Sequence, residues 1–233
     1  MVNRASIFTL KDVRYTWPAP TAFGLDIAFF DLAVGETVLL LGESGSGKST
    51  LLSLICGTVA AASGHIEVAG TDITTLSPGR KDRFRAENIG LIFQQFNLLP
   101  YATVLDNIML PLQFAPERRA RVKHPKQSVT QLCLDLGLPQ SMITAQAGTL
   151  SVGQQQRVAA ARALIGAPPL IIADEPTSAL DAGTQATFLQ LLFTQCRAHN
   201  STLLMVSHDE RLAGYFDKVV HLSDVAHIRK EYA

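Results

Sequence analysis

The chain has 233 residues, 47% of them hydrophobic, and its 20 Lys and Arg offset 20 Asp and Glu to a formal net charge of zero. Such a chain buries a full core as one domain, or one domain with subdomains. The neutral balance argues against a nucleic-acid-binding surface as its main business, and no apolar run approaches the roughly 20 residues a membrane helix needs.

The start, Met1 to Ser6, has no apolar core of signal-peptide type. Cys56, Cys133 and Cys196 lie far apart without a C-x-x-C, which reads as reduced, partly buried thiols of a cytoplasmic protein. From Ile7 to about Val38 the pattern is strand-like, with Phe8, Leu10, Val13 and Tyr15, then Leu25, Ile27, Phe29 and Leu32. This predicts an antiparallel sheet beside the core, joined by the short strand Gly64 to Gly70. Tyr15 is the aromatic expected against an adenine ring, because a flat apolar face stacks on any purine, and Trp17 is its reserve.

The apolar run Val38 to Leu41 leads into Gly42-Glu43-Ser44-Gly45-Ser46-Gly47-Lys48-Ser49-Thr50, and Leu51 to Ile55 follows. A buried strand turning into a helix is the context that separates a phosphate loop from a chance glycine cluster. The glycines let successive N–H groups point at one anion, and the helix adds its positive dipole end. Lys48 supplies a full charge for the β- and γ-phosphates, and the Ser49 hydroxyl is placed for Mg²⁺. A nucleoside triphosphate is the expected ligand.

A charged helix between Ser77 and Glu87 leads to the strand Ile89 to Phe93, which exits into Gln94 and then Phe96 to Pro100. The Gln94 amide oxygen is a candidate for Mg²⁺ or the attacking water, though a solvated loop glutamine is the ordinary reading. From Val104 to Ala161 helical periodicity takes over, and the basic stretch Pro116 to Lys126 reads as a solvated connector. Next comes Leu150-Ser151-Val152-Gly153-Gln154 before a helix. Ser151 is a good N-cap, yet a helix start with a serine hydroxyl and a glycine is also a second anion site.

The strand Leu170 to Ala173 runs into Asp174 and Glu175. Two carboxylates at the tip of a buried strand are expensive unless a cation meets them. Mg²⁺ bound to phosphate does that for Asp174, leaving Glu175 to polarise water. A helix from about Ala182 to His199, the strand Thr202 to Val206 and a last short strand, Val219 to Leu222, complete the core, with His208 at a strand exit where α/β folds place ligands.

Taken together, these stretches resemble the nucleotide-binding subunits of ATP-binding cassette (ABC) transporters, in family order along essentially the whole chain. Walker A is Gly42 to Thr50, the Q-loop glutamine is Gln94, and the signature is Leu150 to Gln154. Walker B is Leu170 to Asp174 with Glu175 beside it, the D-loop is Ser178 to Asp181, and the switch histidine is His208. Val152 replaces the first glycine of the usual signature; ordinary helical dihedrals are expected there, with Gly153 the glycine that approaches phosphate.

The resemblance implies a P-loop NTPase core, a mostly parallel sheet flanked by helices, with an N-terminal antiparallel β subdomain and an inserted helical subdomain. Its expected limits are about 5–36 and 64–72 for the β part, about 37–63, 77–95 and 162–225 for the core, and about 96–161 for the helices. It implies ATP and Mg²⁺, with Ser49, Gln94 and Asp174 on the metal. It also implies an ATP sandwich of two copies, in which each ATP lies between one Walker A and the other copy's Ser151, Gly153 and Gln154. Lys48, Glu175, His208 and Gln94 would carry hydrolysis.

The stretches Phe93 to Pro100 and Asn107 to Leu112 look most like the branch serving lipoprotein release, macrolide efflux and glycolipid export. A separate permease is expected to dock near Phe96 to Tyr101, with the chain peripheral on the cytoplasmic face of the membrane, without inserting into it. An amino-acid-type importer ATPase is the nearest alternative. A P-loop kinase needs no signature helix, and non-transport relatives acting on DNA or ribosomes add coiled coils or a second cassette.

Overall fold

A computed structural model describes residues 5–17 and 22–231. The chain divides into two compact units, one of residues 1–85 and 204–233, the other of residues 86–203. The first opens with β1 (Ser6–Thr16), β2 (Ala22–Ala33) and β3 (Thr37–Leu41). Helix α1 (Lys48–Ile55), β4 (Ser63–Val68), β5 (Thr71–Asp72) and α2 (Pro78–Asn88) follow, the last running into the second unit.

β1 pairs antiparallel with β2 and β4, Leu10 lying opposite Phe30 on one side and Ile66 on the other. Its buried side chains change phase midway, from Phe8 and Leu10 to Val13 and Tyr15, because Lys11 and Asp12 both face outward. Asp12 takes a positive φ of 53°, and the pairing to β4 slips between Lys11 and Arg14. One extra residue thus moves every later side chain to the opposite face. β2 shifts phase too: Phe30, not the expected Phe29, turns inward, edge-on to Phe8 with centroids 5.2 Å apart.

In the second unit β6 (Ile89–Ile92) is followed by short helices α3 (Val104–Met109), α4 (Pro111–Phe114) and α5 (Pro116–Ala120). Longer elements complete it: α6 (Pro125–Asp135), α7 (Val152–Leu164), β7 (Leu170–Asp174) and α8 (Ala182–Ala198). β6 and β7 run parallel with Ile92 opposite Ala173. The close seat of α7 on β6 requires Gly90, since a Cβ there would lie 2.2 Å from the Ala163 carbonyl oxygen. The parallel pairing and flanking helices agree with the expected fold class.

The basic connector is not uniformly solvated. Arg118 is among the most deeply buried side chains, and burial pulls its guanidinium down to about 10. Its Nε donates to the Ile165 carbonyl at 2.6 Å, and its two terminal nitrogens donate to Ala163, Arg162, Ala86 and Ile89. A buried guanidinium is tolerated when its donors are met, and here they close the C-terminal end of α7, where carbonyls lack helical partners. Glu87 accepts from the Glu117 and Arg118 amides, which fixes the start of α5.

β8 (Thr202–Ser207) begins in the second unit and ends in the first. The first unit then closes with β9 (Lys218–His221), α9 (Leu222–Val225) and β10 (His227–Glu231). β9 pairs parallel with β3, and Asp217 just before it accepts from the Thr37 amide and hydroxyl. β10 was not expected. It joins the edge of β2, completing the sheet order β10-β2-β1-β4-β5. Charged residues on an edge strand hide it from a search for apolar alternation. Cys133 and Cys196 are free and buried, which pushes their thiols up to about 11 and about 12. Among the described residues no helix is long and apolar enough to cross a membrane.

Candidate functional site

The five residues of β3 are all buried, and the strand releases the chain into a loop that ends at Gly47, the N-cap of α1. Gly47 has φ 99°, and a Cβ there would come within 2.8 Å of the Phe23 ring, so any other residue is strained there and must displace that ring. No side chain caps α1, so its first N–H groups face the loop. The Ser46 hydroxyl oxygen is buried without a hydrogen-bond partner.

Lys48 is not the solvated lysine that a surface loop implies. It is 6% exposed, and its ammonium donates to the Gly42 carbonyl at 2.6 Å and the Glu43 carbonyl at 2.8 Å. A buried cation, an uncapped helix start and an unpartnered buried hydroxyl on one loop fit a chain of phosphates. An anion brings acceptors to all of these groups at once.

The aromatic assignment changes. Tyr15 is 8% exposed in β1 and packs edge-on against Trp17, with centroids 5.3 Å apart. Trp17 is 39% exposed, and its indole N–H donates to the Thr50 hydroxyl oxygen at 3.1 Å. The open aromatic face beside the phosphate loop is therefore that of Trp17, not Tyr15. In the same unit His208 follows β8 and is exposed. The next residue, Asp209, is bonded to Arg211 at 2.8 Å, which holds its carboxyl below the usual range.

In the second unit the parallel register of β6 and β7 brings Gln94 and the pair Asp174 and Glu175 to the same strand ends. Gln94 is exposed; Asp174 and Glu175 are half-buried. Glu175 has φ 43°, in the left-handed region that non-glycine residues rarely occupy.

The loop after Gln94 corrects the expected docking surface. Phe96 and Asn97 have φ 59° and 49°, and Phe96 is a core residue, 6% exposed. Their carbonyls accept from the guanidinium of Arg162 on α7. Asn107 pins the far side of the loop, accepting from the Leu99 amide at 2.8 Å and donating to the Leu99 and Thr103 carbonyls. Asn97, Pro100 and Tyr101, the last at 73%, are what this stretch offers outward.

Ser151 caps α7, its hydroxyl accepting from the Gln154 amide while the Gln154 side chain accepts from the Ser151 amide at 2.9 Å. Val152 is the first helical residue, so it keeps the ordinary dihedrals expected of it. A Cβ on Gly153 would meet nothing within 4 Å. Packing within the chain therefore does not require that glycine.

Among the buried polar residues to which sequence gave no role are Arg118, Arg162 and Gln156. Gln156 and Arg162 leave α7 to hold loop carbonyls, of Pro176 in one case and of Phe96 and Asn97 in the other. Helical spacing carries a signal for the first, since Gln156 lies three and four residues before the buried Ala159 and Ala160.

Residues 25–178 match the model of the ABC transporter family. The lipoprotein-releasing system ATP-binding protein LolD of Syntrophotalea carbinolica is 40% identical over 190 residues, 82% of each chain. The macrolide export ATP-binding/permease protein MacB of Rhodopirellula baltica is also 40% identical, over 194 residues, but the match spans only 28% of that larger protein and 83% of this chain. Among solved structures, the dimeric ATP-binding cassette MJ0796 bound to ADP and Pi aligns with a TM-score of 0.77 at 33% identity, covering 97% of this chain and 99% of that one.

Proposed function

The chain belongs to the ABC transporter family as an ATP-binding subunit with ATPase activity, and from that premise we propose that it drives a separate membrane permease. The proposed task is export or release of a lipid, lipoprotein or drug-like substrate, which the similarity to LolD and MacB supports. The observation that carries the ATP-binding part is the loop of Lys48 and Ser46 at the uncapped start of α1.

The phosphates take over the donors of that loop. Lys48 exchanges the Gly42 and Glu43 carbonyls for phosphate oxygens, and Ser46 gains an acceptor. Ser49, Gln94 and Asp174 offer hydroxyl, amide and carboxylate oxygens, the donor set of a hard cation such as Mg²⁺. That ion supplies neutralisation of charge on the phosphates. Glu175 orients and polarises the attacking water, with His208 contacting the γ-phosphate and that water.

The second copy of the chain contributes Ser151, Gly153 and Gln154. The Ser151 oxygen accepts in the cap, so its own proton remains for a phosphate. Gly153 lets that phosphate approach the backbone. The permease docks at the loop around Tyr101, on the cytoplasmic face of the membrane.

Trp17 replaces Tyr15 as the platform for adenine. Base–aromatic stacking contributes about 1–3 kcal/mol, so Trp17→Ala is expected to weaken ATP binding by roughly ten- to a hundredfold, with Trp17→Phe recovering most of it. Equilibrium titration of a fluorescent ATP analogue reads this directly; unchanged affinity in Trp17→Ala removes the assignment. For the larger reading, the test is purification of the tagged chain from solubilised membranes. An integral membrane subunit is expected to co-purify, and a DNA or ribosome partner in its place overturns the transport reading.

A further inference from the structure

The loop that carries Glu175 is held against its own backbone preferences. A non-glycine residue at φ 43° lies in the sparsely populated left-handed region and is strained. Glu175 also precedes Pro176, and a residue before proline is steered towards extended backbone by the ring. Such a conformation persists only where its surroundings over-determine it.

Three consecutive residues supply the restraint. The Glu175 carbonyl accepts from the Ser178 amide at 3.3 Å and the Ser178 hydroxyl at 3.1 Å. The Thr177 hydroxyl oxygen accepts from Gln185 of α8 at 2.9 Å. Between them, the Pro176 carbonyl accepts from Nε2 of Gln156 at 2.7 Å. Of these three, only the Gln156 bond comes from α7, the helix whose first turn holds Val152 and Gly153.

Gln156 is a costly residue for that place. Its side chain is fully buried, and its Oε1 has no hydrogen-bond partner. An apolar side chain of similar length removes that unmet acceptor and leaves the Pro176 carbonyl unmet in its place, so the two costs offset and the swap is nearly neutral for folding. Stability alone therefore gives little reason for an amide there, whereas the bond to Pro176 gives one.

We propose that Gln156 is a positioning residue that sets the Glu175 carboxylate through the Pro176 carbonyl, tying the catalytic loop to the first turns of α7. Fully buried, it acts through the loop backbone and not on the reacting atoms. The inference rests on the reading of Glu175 as the residue that orients water. It adds a physical link: the helix start assigned to the partner's ATP and the loop assigned to hydrolysis are joined by one side chain.

The test compares Gln156→Met, Glu175→Gln and the double variant in the full chain. Steady-state ATPase assays, ATP titration and urea unfolding are the readouts. Gln156→Met is expected to lower kcat by about ten- to a hundredfold, the scale of a small misplacement of a catalytic group. Nucleotide affinity should stay within twofold, and the urea midpoint should barely move. In the Glu175→Gln background, Gln156→Met should cost nothing further, because it acts through a carboxylate already removed.

Wild-type kcat in a folded Gln156→Met chain overturns the proposal, as does an equal fold-loss in both backgrounds. If Gln156→Met fails to fold, Gln156→Leu takes its place: it also removes the donor to the Pro176 carbonyl and brings no buried charge. A Glu175→Gln chain that hydrolyses ATP at the wild-type rate overturns the reading of Glu175 and this proposal with it. A slow Glu175→Gln beside a fast Gln156→Met overturns the role of Gln156 alone.

Discussion

Lys48→Ala is expected to abolish ATP hydrolysis and to weaken ATP binding at least tenfold. The substitution removes the one side-chain cation that the structure places inside the loop between β3 and α1, where it bonds the Gly42 and Glu43 carbonyls. Without it, this loop meets the phosphates with backbone N–H groups, hydroxyls and the dipole of α1, an eight-residue helix, and with no full charge of its own. The same bonds predict a second effect. Hydrogen bonds to charged groups contribute roughly 1.5–3 kcal/mol each, and Lys48 is buried. The nucleotide-free variant should therefore unfold at lower urea than the wild type. Calorimetric titration with ATP and urea melts without nucleotide separate the two effects. Wild-type ATP affinity would remove the phosphate assignment; an unchanged urea midpoint would show that the loop holds its shape without the ammonium.

Glu175→Gln is expected to slow hydrolysis by about 10²–10⁴-fold while leaving ATP affinity and thermal stability close to wild type. Glutamine keeps the volume and the strained backbone at φ 43° but loses the charge that orients and polarises water. The loop bonds to Ser178 and Gln156 use backbone carbonyls of Glu175 and Pro176, so they survive the change. A phosphate-release assay under saturating ATP and Mg²⁺ reads the rate. If the loss is less than about tenfold, another group activates the water.

The phosphate loop, the capped signature helix and the acidic strand end were legible because each joins residue type to local context. Lys48 follows a buried strand, Ser151 precedes a helix, and Asp174 ends an apolar run. What escaped depended on facing, which residue type does not carry. The outward pair Lys11 and Asp12 shifts the alternation of β1, and Tyr15 joins the buried face as a result. Trp17, beyond the end of the strand, is left open.

Phe96 looked like a docking residue because it is apolar and in a loop. Yet the loop turns through two positive φ values and delivers its ring to the core. Arg118 sits in a basic run that composition reads as solvated, and the end of α7, with the Ala86 and Ile89 carbonyls, gives its donors a use. Gln156 stands in a run of three glutamines, of which only the helical face distinguishes the buried one.

The central claim is that two copies of this chain close around ATP, each supplying Lys48 to one nucleotide and Ser151 with Gly153 to the other. Two features of this chain support it: the Ser151 hydroxyl oxygen accepts in its cap and so leaves its proton to donate, and Gly153 is a glycine that internal packing does not require. Each Glu175 would then lie near a γ-phosphate, and removing its charge both slows hydrolysis and reduces repulsion across the pair. The direct measurement is size-exclusion chromatography with light scattering on Glu175→Gln, run in saturating ATP and again in ADP. The expected result is a dimer in ATP and a monomer in ADP, with dimer formation lost when Ser151 is replaced by a bulky residue. A Glu175→Gln chain that stays monomeric in saturating ATP, even at high protein concentration, would contradict the two-copy site.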